Sequence, residues 1–247
     1  MVNWVKGQIV NKRQWTDQLY SLQVEAPVEP FQAGQFTRLA ADIEGERVGR
    51  PYSYVNPPHR QPLEFYFITV PEGPLTNHMV ELQEGDSLWV QSRAAGAFTV
   101  DQVPDAENLW LLCTGTALGV FLSILKTEQP WQRFDRVVLA HGVRTAEELT
   151  YRDDIAELQE RHPNQLRMVP LVSREPTDFA INGRITHAIE DGRLEEFANV
   201  ALNAEQSQVM ICGNPDMVRD TSELLERRGL RKNRRSKPGH VTVERYW

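Results

Sequence analysis

In the segment RPYSYVN, residues Arg50, Tyr52 and Ser53 place a guanidinium, an aromatic ring and a hydroxyl on one predicted strand. Because successive side chains of a strand point to opposite faces, Arg50 and Tyr52 share one face and Ser53 lies on the other. A guanidinium binds phosphate through two parallel hydrogen bonds, and an aromatic ring stacks on flat rings. The segment is therefore either an ordinary core strand or one side of a slot for a large, flat, phosphorylated cofactor.

Three arginines follow apolar runs that are predicted to be strands: Arg144 in GVRT, Arg174 in VSREP and Arg184 in NGRI. The planar arginine fork suits phosphate, although any one of these residues alone is more often a solvated surface residue. All three are expected on the carboxyl side of a parallel sheet, where ligands bind. Their shared position favours a phosphate beyond the pyrophosphate of a dinucleotide. That group would be the 2′-phosphate, which distinguishes NADP from NAD.

Glycine-containing turns follow three of the apolar runs: TGTALG, HGVRT and CGNPDM. Glycine lets the backbone approach a ligand closely, and a helix N-terminus offers free N–H groups to phosphate. Each turn also has an ordinary structural explanation, since Pro215 suits a first helical position and Cys212 could simply be a buried apolar residue. Alone, none of the turns specifies contact with a nucleotide.

Two further segments carry groups suited to such a ligand. In VPEGPLTNHM (70–79), a strand is expected to end at Pro71, and Thr76 is expected to cap a helix whose N-terminus could hold a pyrophosphate. An ordinary helix cap explains this segment equally well. The alternating strand GHVTVERYW ends in Tyr246 and Trp247, whose rings could fill the core or cover the face of a cofactor.

The elements that must position these residues fall into two classes along the chain. Over the first hundred residues, short segments rich in β-branched and aromatic residues favour a small antiparallel barrel or sandwich. From Leu109, apolar runs alternate with helical patterns at 117–126, 146–162, 184–197 and 215–228, which predicts a parallel sheet covered by helices on both sides. The polar segment 101–108 is a plausible boundary. We therefore expect two domains, residues 1–100 and 101–247. The β segments of the first are VKGQIV, LYSLQVEA, GQFTRLA, PYSYVN, LEFYFITV and SLWVQS.

The composition is that of an ordinary globular protein, with 40% hydrophobic and 25% charged residues among 247. No stretch approaches the roughly 20 apolar residues of a membrane span, and MVNWVKGQIV lacks the pattern of a signal peptide. The two cysteines, Cys113 and Cys212, lie in apolar runs, so we expect no disulfide framework and a cytoplasmic location. They are also too few for an iron–sulfur cluster, which needs about four thiolates.

The segment RPYSYVN resembles the R-x-Y-S flavin motif of the ferredoxin–NADP⁺ reductase family. TGTALG, VSRE, GR, CGNPDMVRD and VERYW follow in the order that the family shows, so the resemblance covers nearly the whole chain. The aromatic-ended tail and the compact length look like the bacterial flavodoxin/ferredoxin–NADP⁺ reductases rather than the plastid ones. Val120 departs from the pattern, because relatives often have proline there, and we expect this to alter packing more than chemistry.

The resemblance implies an antiparallel β-barrel that binds FAD, followed by an α/β parallel-sheet domain that binds NADP. It implies an oxidoreductase that exchanges a hydride with NADP(H) and single electrons with flavodoxin, ferredoxin or both. By resemblance, Arg50 would bind the FAD pyrophosphate, Tyr52 would stack on the flavin, and Ser53 would hydrogen-bond flavin N5. Tyr246 would cover the other flavin face and Trp247 would stack on the adenine.

The same resemblance assigns the remaining site residues. Cys212 and Glu244 would position the nicotinamide, and neither would act as a nucleophile or a metal ligand; no metal is expected. The catalytic group is then Ser53, Cys212, Glu244 and Tyr246. The FAD-binding set is Arg50, Pro51, Tyr52, Ser53, Thr69, Val70, Pro71, Pro74, Leu75, Thr76, Thr116, Tyr246 and Trp247. The NADP-binding set is Thr114, Gly115, Thr116, Arg144, Ser173, Arg174, Arg184, Gly213, Asn214, Pro215, Met217 and Asp220.

The charge distribution bears on the redox partner. The net charge is −7 at pH 7, yet residues 227–237 contain seven Lys or Arg and no acid, so the rest of the chain carries −14. Such a run is usually a solvated helix end or loop, and nucleic acid is another possible partner. We expect instead a positive patch that orients an acidic electron carrier, because electron transfer needs brief, steered encounters of small area.

Other functions remain compatible with these residues. An NADPH:flavin reductase, or the reductase component of an oxygenase, would use the same fold and most of the same side chains. A non-catalytic flavin or nucleotide sensor is a different class, and the presence of Ser53, Cys212 and Glu244 argues against it. We expect a monomer that binds neither nucleic acid nor membrane.

Overall fold

The computed structural model describes residues 3–245, with the side chain of Arg245 excepted. Tyr246 and Trp247, to which the resemblance assigns ring-stacking roles, lie outside the described residues. The chain divides into two compact units. The first contains the residues up to Thr99 together with Gly119–Thr127, and the second contains Val100–Leu118 and the residues from Glu128 onward.

The first unit is an antiparallel β-barrel. Its six strands lie in the order β4-β3-β6-β1-β2-β5. A bridge between Tyr54 and Phe65 joins the two ends of this order and so closes the barrel. The structure thus confirms the predicted barrel. Its elements are β1 (Trp4–Gln14), β2 (Leu19–Glu25), β3 (Phe36–Ile43), β4 (Glu46–Ser53), β5 (Leu63–Ile68), α1 (Pro74–Glu81) and β6 (Ser87–Gln91).

The core of the barrel is built from alternate residues of neighbouring strands. Leu22 of β2 pairs with Phe65 of β5, and both side chains are fully buried. Tyr54, just after β4, stacks on Phe31 with 3.8 Å between ring centroids, and its ring centroid lies 5.5 Å from that of Phe65. Because alternate residues point outward, the same strands can present other side chains to solvent.

A tight hairpin sets the position of β4. Glu44 and Gly45 both have positive φ (52° and 86°), as a two-residue type I′ turn requires, and Ile43 pairs with Glu46 across it. β4 therefore begins at Glu46, whereas the sequence predicted a strand from Pro51. The stretch from Glu46 to Gly49 was missed because Glu46 and Arg47 are charged and exposed, while Gly49 is buried but has no apolar side chain to mark a strand.

The helix α1 begins at Pro74, with Gly73 as its N-cap, so the expectation that Thr76 caps a helix starting there is wrong. Proline favours the first helical position because that position needs no N–H donor. Thr76 lies inside the first turn, where its hydroxyl donates to the carbonyl of Gly73 and accepts from the N–H of Val70, both at 3.1 Å. The threonine therefore fixes the strand-to-helix turn from inside.

The second unit contains a six-stranded parallel sheet, as predicted. The strand order is β10-β9-β8-β7-β11-β12, so the chain runs outward from β7 to β10 and then returns to the other side of β7. The order therefore reverses between β7 and β11. The elements, in chain order, are β7 (Asn108–Thr114), α2 (Leu118–Leu125), α3 (Gln129–Arg133), β8 (Arg136–Val143), α4 (Arg152–Arg161), β9 (Leu166–Val172), β10 (Ile181–Asn182), α5 (Ile185–Glu190), α6 (Arg193–Ala198), β11 (Ser207–Gly213), α7 (Pro215–Arg227) and β12 (Val241–Arg245).

Two predicted helices are interrupted in the structure. Within 146–162, Tyr151 adopts the left-handed conformation (φ 54°), and α4 starts only after it. Within 184–197, Gly192 (φ 82°) separates α5 from α6. A residue in the left-handed conformation cannot lie inside a right-handed helix, so it separates the elements on its two sides, and nothing in the pattern of apolar residues reveals it. No described helix is long and apolar enough to cross a membrane.

Most of α2 packs with the barrel although it follows β7. Ser123 donates a buried hydrogen bond to the carbonyl of Asn56 at 2.8 Å. A Cβ on Gly119 would lie 3.0 Å from Val55, so glycine permits the close approach of the helix. Val120, the position where the sequence departs from the family pattern, is fully buried.

Candidate functional site

The carboxyl ends of β7 and β11 meet at the point where the strand order reverses. Oγ1 of Thr114 accepts a hydrogen bond from the backbone N–H of Asn214 at 3.0 Å. Gly213 has φ +139°, and a Cβ there would lie only 2.3 Å from the same oxygen. Open α/β sheets bind ligands at such a reversal, and glycine leaves the backbone accessible there. The structure thus brings the TGTALG and CGNPDM turns together.

The helix α7 starts directly from this point. Oδ1 of Asn214 accepts from the N–H groups of Asp216 and Met217, so the asparagine caps the helix. Pro215 occupies a first-turn position and supplies no donor. Asp220 lies one turn further on, where its carboxylate is ion-paired with Arg219 at 2.8 Å. Any phosphate here would therefore contact the glycine turn rather than uncapped N–H groups of α7.

A buried histidine supports the first glycine turn. Nε2 of His141, on β8, donates to the carbonyl of Gly115 at 3.0 Å. Burial lowers the pKa of His141 to about 4, so the ring is neutral at physiological pH. Its Nδ1 has no hydrogen-bond partner within residues 3–245. Sequence reasoning did not single out His141; its one signal was a lone histidine in the apolar run VVLAHGV.

Four polar or sulfur-bearing side chains form a row across one face of the sheet. Glu244 is the register partner of Cys212, Cys212 of Cys113, and Cys113 of His141. Register partners on parallel strands point to the same face. The opposite face carries the apolar core, which includes Trp110. The predicted pair Cys212 and Glu244 is thus adjacent, and Cys113 and His141 extend it.

Burial favours uncharged side chains along this row. It raises the pKa of the Cys113 thiol well above its usual value and raises the pKa of Glu244 from 4.5 to about 7. Oε2 of Glu244 is buried without a hydrogen-bond partner in the part of the chain that the structure describes. Across those residues, no group of three or more His, Cys, Asp or Glu side chains could hold a metal ion. The row is therefore a water-poor environment with one carboxyl group poised to titrate.

The three arginines lie at the carboxyl edge of the same sheet. Arg144 follows β8, Arg174 follows β9, and Arg184 follows β10. The backbone N–H of Arg174 donates to the carbonyl of Arg144 at 2.9 Å, which ties the first two turns together. Arg174 and Arg184 are exposed, as is Ser173, whose hydroxyl donates to Val143.

Arg144 differs from the other two arginines because it already has an anionic neighbour. Its guanidinium lies 2.6 Å from a carboxylate oxygen of Glu148, and Nε donates to the same carboxylate. A phosphate near Arg144 would compete with Glu148. Arg174 and Arg184 are consequently the better candidates for binding a phosphate.

In the barrel, the residues of RPYSYVN occupy different environments. Arg50 is exposed and donates one hydrogen bond to the carbonyl of Gly49 at 2.9 Å. Tyr52 is half-buried and meets Phe67 edge-on, at 83° and 6.3 Å between ring centroids, and burial raises its pKa to about 12. Ser53 is only 8% exposed and, as expected, alternates with Tyr52 along the strand.

The helix α1 belongs to the same unit and packs against β3 and β4. No side chain caps this helix, since its N-cap is Gly73. An uncapped N-terminus leaves first-turn N–H groups and the positive end of the helix dipole for an anion. Around it, Val70, Pro71 and Pro74 are exposed, whereas Leu75 and Thr76 are buried and Thr69 is half-buried.

Comparison with known proteins gives full-length relatives. The chain is 49% identical to the flavodoxin/ferredoxin–NADP reductase of Escherichia coli K12, over the whole of both chains. The chain belongs to the flavodoxin/ferredoxin–NADP reductase family. It is 34% identical to the ferredoxin–NADP reductase of Pseudomonas aeruginosa, over 99% of this chain and 98% of that protein.

Structural and domain comparisons agree with this family. A crystal structure of a ferredoxin NADP⁺ reductase from Neisseria gonorrhoeae with bound FAD and NADP covers all of both chains, with a TM-score of 0.95 and 31% identity. Residues 111–223 match the family described as the oxidoreductase NAD-binding domain. That range begins in β7 and ends in α7, so it contains the strand-order reversal and all three arginines.

A separate polar cavity of about 750 Å³ opens at the opposite, amino-terminal edge of the parallel sheet. Asn108, Arg136 and His162 are among its lining residues. None of the predicted site residues lines it. Its walls mix acidic and basic side chains, so they specify no single ligand.

Proposed function

We propose that the chain is an FAD-dependent flavodoxin/ferredoxin–NADP⁺ reductase, which exchanges a hydride with NADP(H) and single electrons with flavodoxin or ferredoxin. The 49% identity over the whole of both chains to a protein of that name carries the proposal. When bound, FAD supplies the ability to take up two electrons together and release them one at a time. The protein's side chains would bind the two cofactors, orient them and exclude water.

The barrel unit fits FAD. Arg50 has an exposed fork that can bind a phosphate in bidentate fashion, and the uncapped α1 terminus provides a second anion site in the same unit. Tyr52 offers a ring that Phe67 holds edge-on, which restricts its rotation before a flat cofactor stacks on it. Ser53 provides a hydroxyl on a rigid strand for a ring nitrogen of that cofactor.

The second unit fits NADP(H). The glycine turns at Gly115 and Gly213 allow close approach of a pyrophosphate, and the arginine edge supplies charge-assisted bonds for the 2′-phosphate. Thr116, Met217 and Asp220 lie near these turns and complete the predicted set. Two ligands with several phosphates thus have separate positive sites, one in each unit.

Cys212 and Glu244 would position the nicotinamide. Hydride transfer needs orientation and a water-poor site rather than a covalent intermediate, and this buried row meets both needs. The Glu244 carboxyl group can hold a proton near neutral pH because burial raises its pKa to about 7. Deprotonation at higher pH would place a negative charge beside the nicotinamide, which would stabilise its oxidised, positively charged form.

The carrier protein would dock on an exposed hairpin that we call the basic hairpin, residues 231–237. Its Lys and Arg side chains are exposed, and backbone hydrogen bonds between Arg234 and Lys237 close it. Asn233 anchors it by donating to Gln102 at 2.7 Å and to Thr242 of β12 at 3.0 Å. An acidic carrier would be steered to this positive surface. We propose a cytoplasmic monomer that needs neither nucleic acid nor membrane.

The test is spectroscopic and kinetic. The purified protein should show the absorption bands of oxidised flavin and release FAD on denaturation. With NADPH it should reduce a purified bacterial flavodoxin or ferredoxin much faster than it reduces free FMN. Faster reduction of free FMN than of either carrier would instead indicate a flavin reductase, and absence of bound FAD would refute the proposal.

A further inference from the structure

Phe179 exposes an aromatic ring at the carboxyl edge of the parallel sheet. It is 47% exposed, and only Val70 and Phe197 are comparable large apolar side chains among residues 3–245. Single exposed apolar residues are common and need no functional explanation. The surroundings of Phe179 therefore decide whether its exposure has a use.

The backbone around Phe179 is held in place. The next residue, Ala180, packs against the small apolar cluster of Val143, Leu149 and Val172. Its carbonyl accepts a hydrogen bond from the hydroxyl of Thr177 at 3.4 Å. The ring is thus presented from an anchored loop between β9 and β10, which are followed by Arg174 and Arg184 respectively.

A guanidinium lies beside the ring. The central carbon of Arg152 is 5.9 Å from the Phe179 ring centroid. Arg152 does not swing freely, because Nε donates to the carbonyl of Leu149 at 3.0 Å and a terminal nitrogen donates to Ala146 at 2.9 Å. A phenyl ring and a guanidinium are both flat groups on which nucleobases stack.

We propose that Phe179, flanked by Arg152, is the platform on which the purine of NADP(H) stacks. The inference rests on the proposed function, because it requires a phosphate at Arg174 and Arg184. In 2′-phosphoadenosine the base is attached to C1′ and the phosphate to the adjacent C2′. A site that holds this phosphate at the carboxyl edge must therefore hold the base within the same few ångströms of that edge. Phe179 is the exposed aromatic side chain that the described residues offer on the loop bearing Arg174.

The platform has a different role from the arginines. Arg174 and Arg184 distinguish NADPH from NADH, because only NADPH has the 2′-phosphate. A purine occurs in both dinucleotides, so Phe179 should contribute equally to the two. The nicotinamide half contains no purine, so the platform should not affect its binding.

The experiment compares Phe179→Ala with Phe197→Ala in the FAD-loaded enzyme. Phe197 is a matched control, because it is also 47% exposed but lies on α6. Isothermal titration calorimetry with 2′,5′-ADP should give a Kd about tenfold higher for Phe179→Ala and unchanged for Phe197→Ala. Phe179→Trp should retain wild-type affinity. Nicotinamide mononucleotide, which has no purine, should bind all variants alike.

Steady-state kinetics provide a second readout. The KM values for NADPH and NADH should rise by the same factor in Phe179→Ala, with kcat unchanged. An unchanged Kd for 2′,5′-ADP, or an equal loss of affinity for nicotinamide mononucleotide, would overturn the platform. Either result leaves the proposed function intact if the wild-type enzyme oxidises NADPH. If it does not, the proposed function fails and the platform fails with it.

Discussion

The hydrogen bond from the Asn214 N–H to Oγ1 of Thr114, at 3.0 Å, joins two turns that lie a hundred residues apart in the chain. It forms where β7 and β11 end side by side. The two turns lie so close together that only glycine fits at position 213. Their spacing therefore depends on the hydroxyl of Thr114 and on the absence of a Cβ at Gly213.

A methyl group at Gly213 should break this arrangement. In Gly213→Ala the new Cβ would lie 2.3 Å from Oγ1 of Thr114, and φ would remain at +139°. Gly192→Ala is the matched control, since Gly192 also has positive φ but a methyl group there would meet no atom within 4 Å. Both variants place alanine at a positive φ, which costs roughly 1–3 kcal/mol, but only Gly213→Ala adds the steric clash. Urea unfolding should therefore show a clearly larger loss in the free energy of unfolding for Gly213→Ala than for Gly192→Ala. Steady-state kinetics should also show a higher KM for NADPH in Gly213→Ala. Equal losses in the two variants would contradict the argument.

Removal of Arg174 and Arg184 should reverse the preference for NADPH. Each substitution by alanine removes a charge-assisted hydrogen bond to the 2′-phosphate. The KM of the double variant should therefore be about 100-fold or more higher for NADPH and change little for NADH. The measurement is the ratio of kcat/KM values for the two dinucleotides. Arg136→Ala with Arg161→Ala, at the opposite edge of the sheet, should leave that ratio unchanged. If kcat/KM falls as much for NADH as for NADPH, these arginines do not bind the 2′-phosphate.

Glu244→Gln should change how stability depends on pH. Burial raises the pKa of this carboxyl group from 4.5 to about 7. A carboxyl group with a higher pKa in the folded than in the unfolded protein destabilises the fold as pH rises through that interval. The Gln variant lacks this titration, so its free energy of unfolding should increase relative to wild type between pH 4.5 and pH 7. The difference should then stay constant above pH 7. Urea unfolding of both proteins across this range is the measurement, and a pH-independent difference would show that Glu244 does not titrate abnormally.

Charge removal from the basic hairpin should slow electron delivery selectively. Arg234→Ser with Arg235→Ser should lower the rate of flavodoxin reduction at low ionic strength and flatten its dependence on salt, because steering weakens. Reduction of a small neutral quinone should not change. The equal-charge control is Arg136→Ser with Arg161→Ser. Arg228 should be left intact, since it is ion-paired with Glu195 at 2.7 Å and contributes to structure rather than to the patch. If both pairs slow the carrier equally, net charge rather than the hairpin is responsible.

The sequence predicted the two kinds of sheet because their burial patterns differ strongly. β7 and β11 are buried on both faces and contain apolar runs, whereas barrel strands such as β2 and β5 mix buried residues with half-buried ones such as Gln23 and Glu64. The first half of β4 was missed because Arg47 and Gly49 carry no apolar signal. Their strand conformation comes from pairing with β3 across a turn that needs two positive φ values.

The sequence predicted the position of site residues that directly follow a strand, because the ends of the strands could be predicted. Arg144, Arg174 and Arg184 were predicted at one edge because each follows an apolar run. The engagement of Arg144 by Glu148, and the support of Gly115 by His141, depend on side-chain directions that periodicity does not encode. The exposure of Phe179 is equally invisible in the sequence, since a phenylalanine in a loop is as easily buried as exposed.

The helix α2 has a consequence for synthesis of the chain. Residues Gly119–Thr127 belong to the barrel unit, where Phe121 packs against Phe98 with 5.7 Å between ring centroids and Ser123 bonds to Asn56. A nascent chain that has released only its first hundred residues therefore lacks part of the barrel's packing. By the time α2 emerges from the ribosome, β7 has already emerged ahead of it, without its parallel neighbours β8 and β11. A strand that is buried in the folded protein thus remains unpaired while the first unit completes, and a chaperone that binds exposed apolar segments would protect it during that interval.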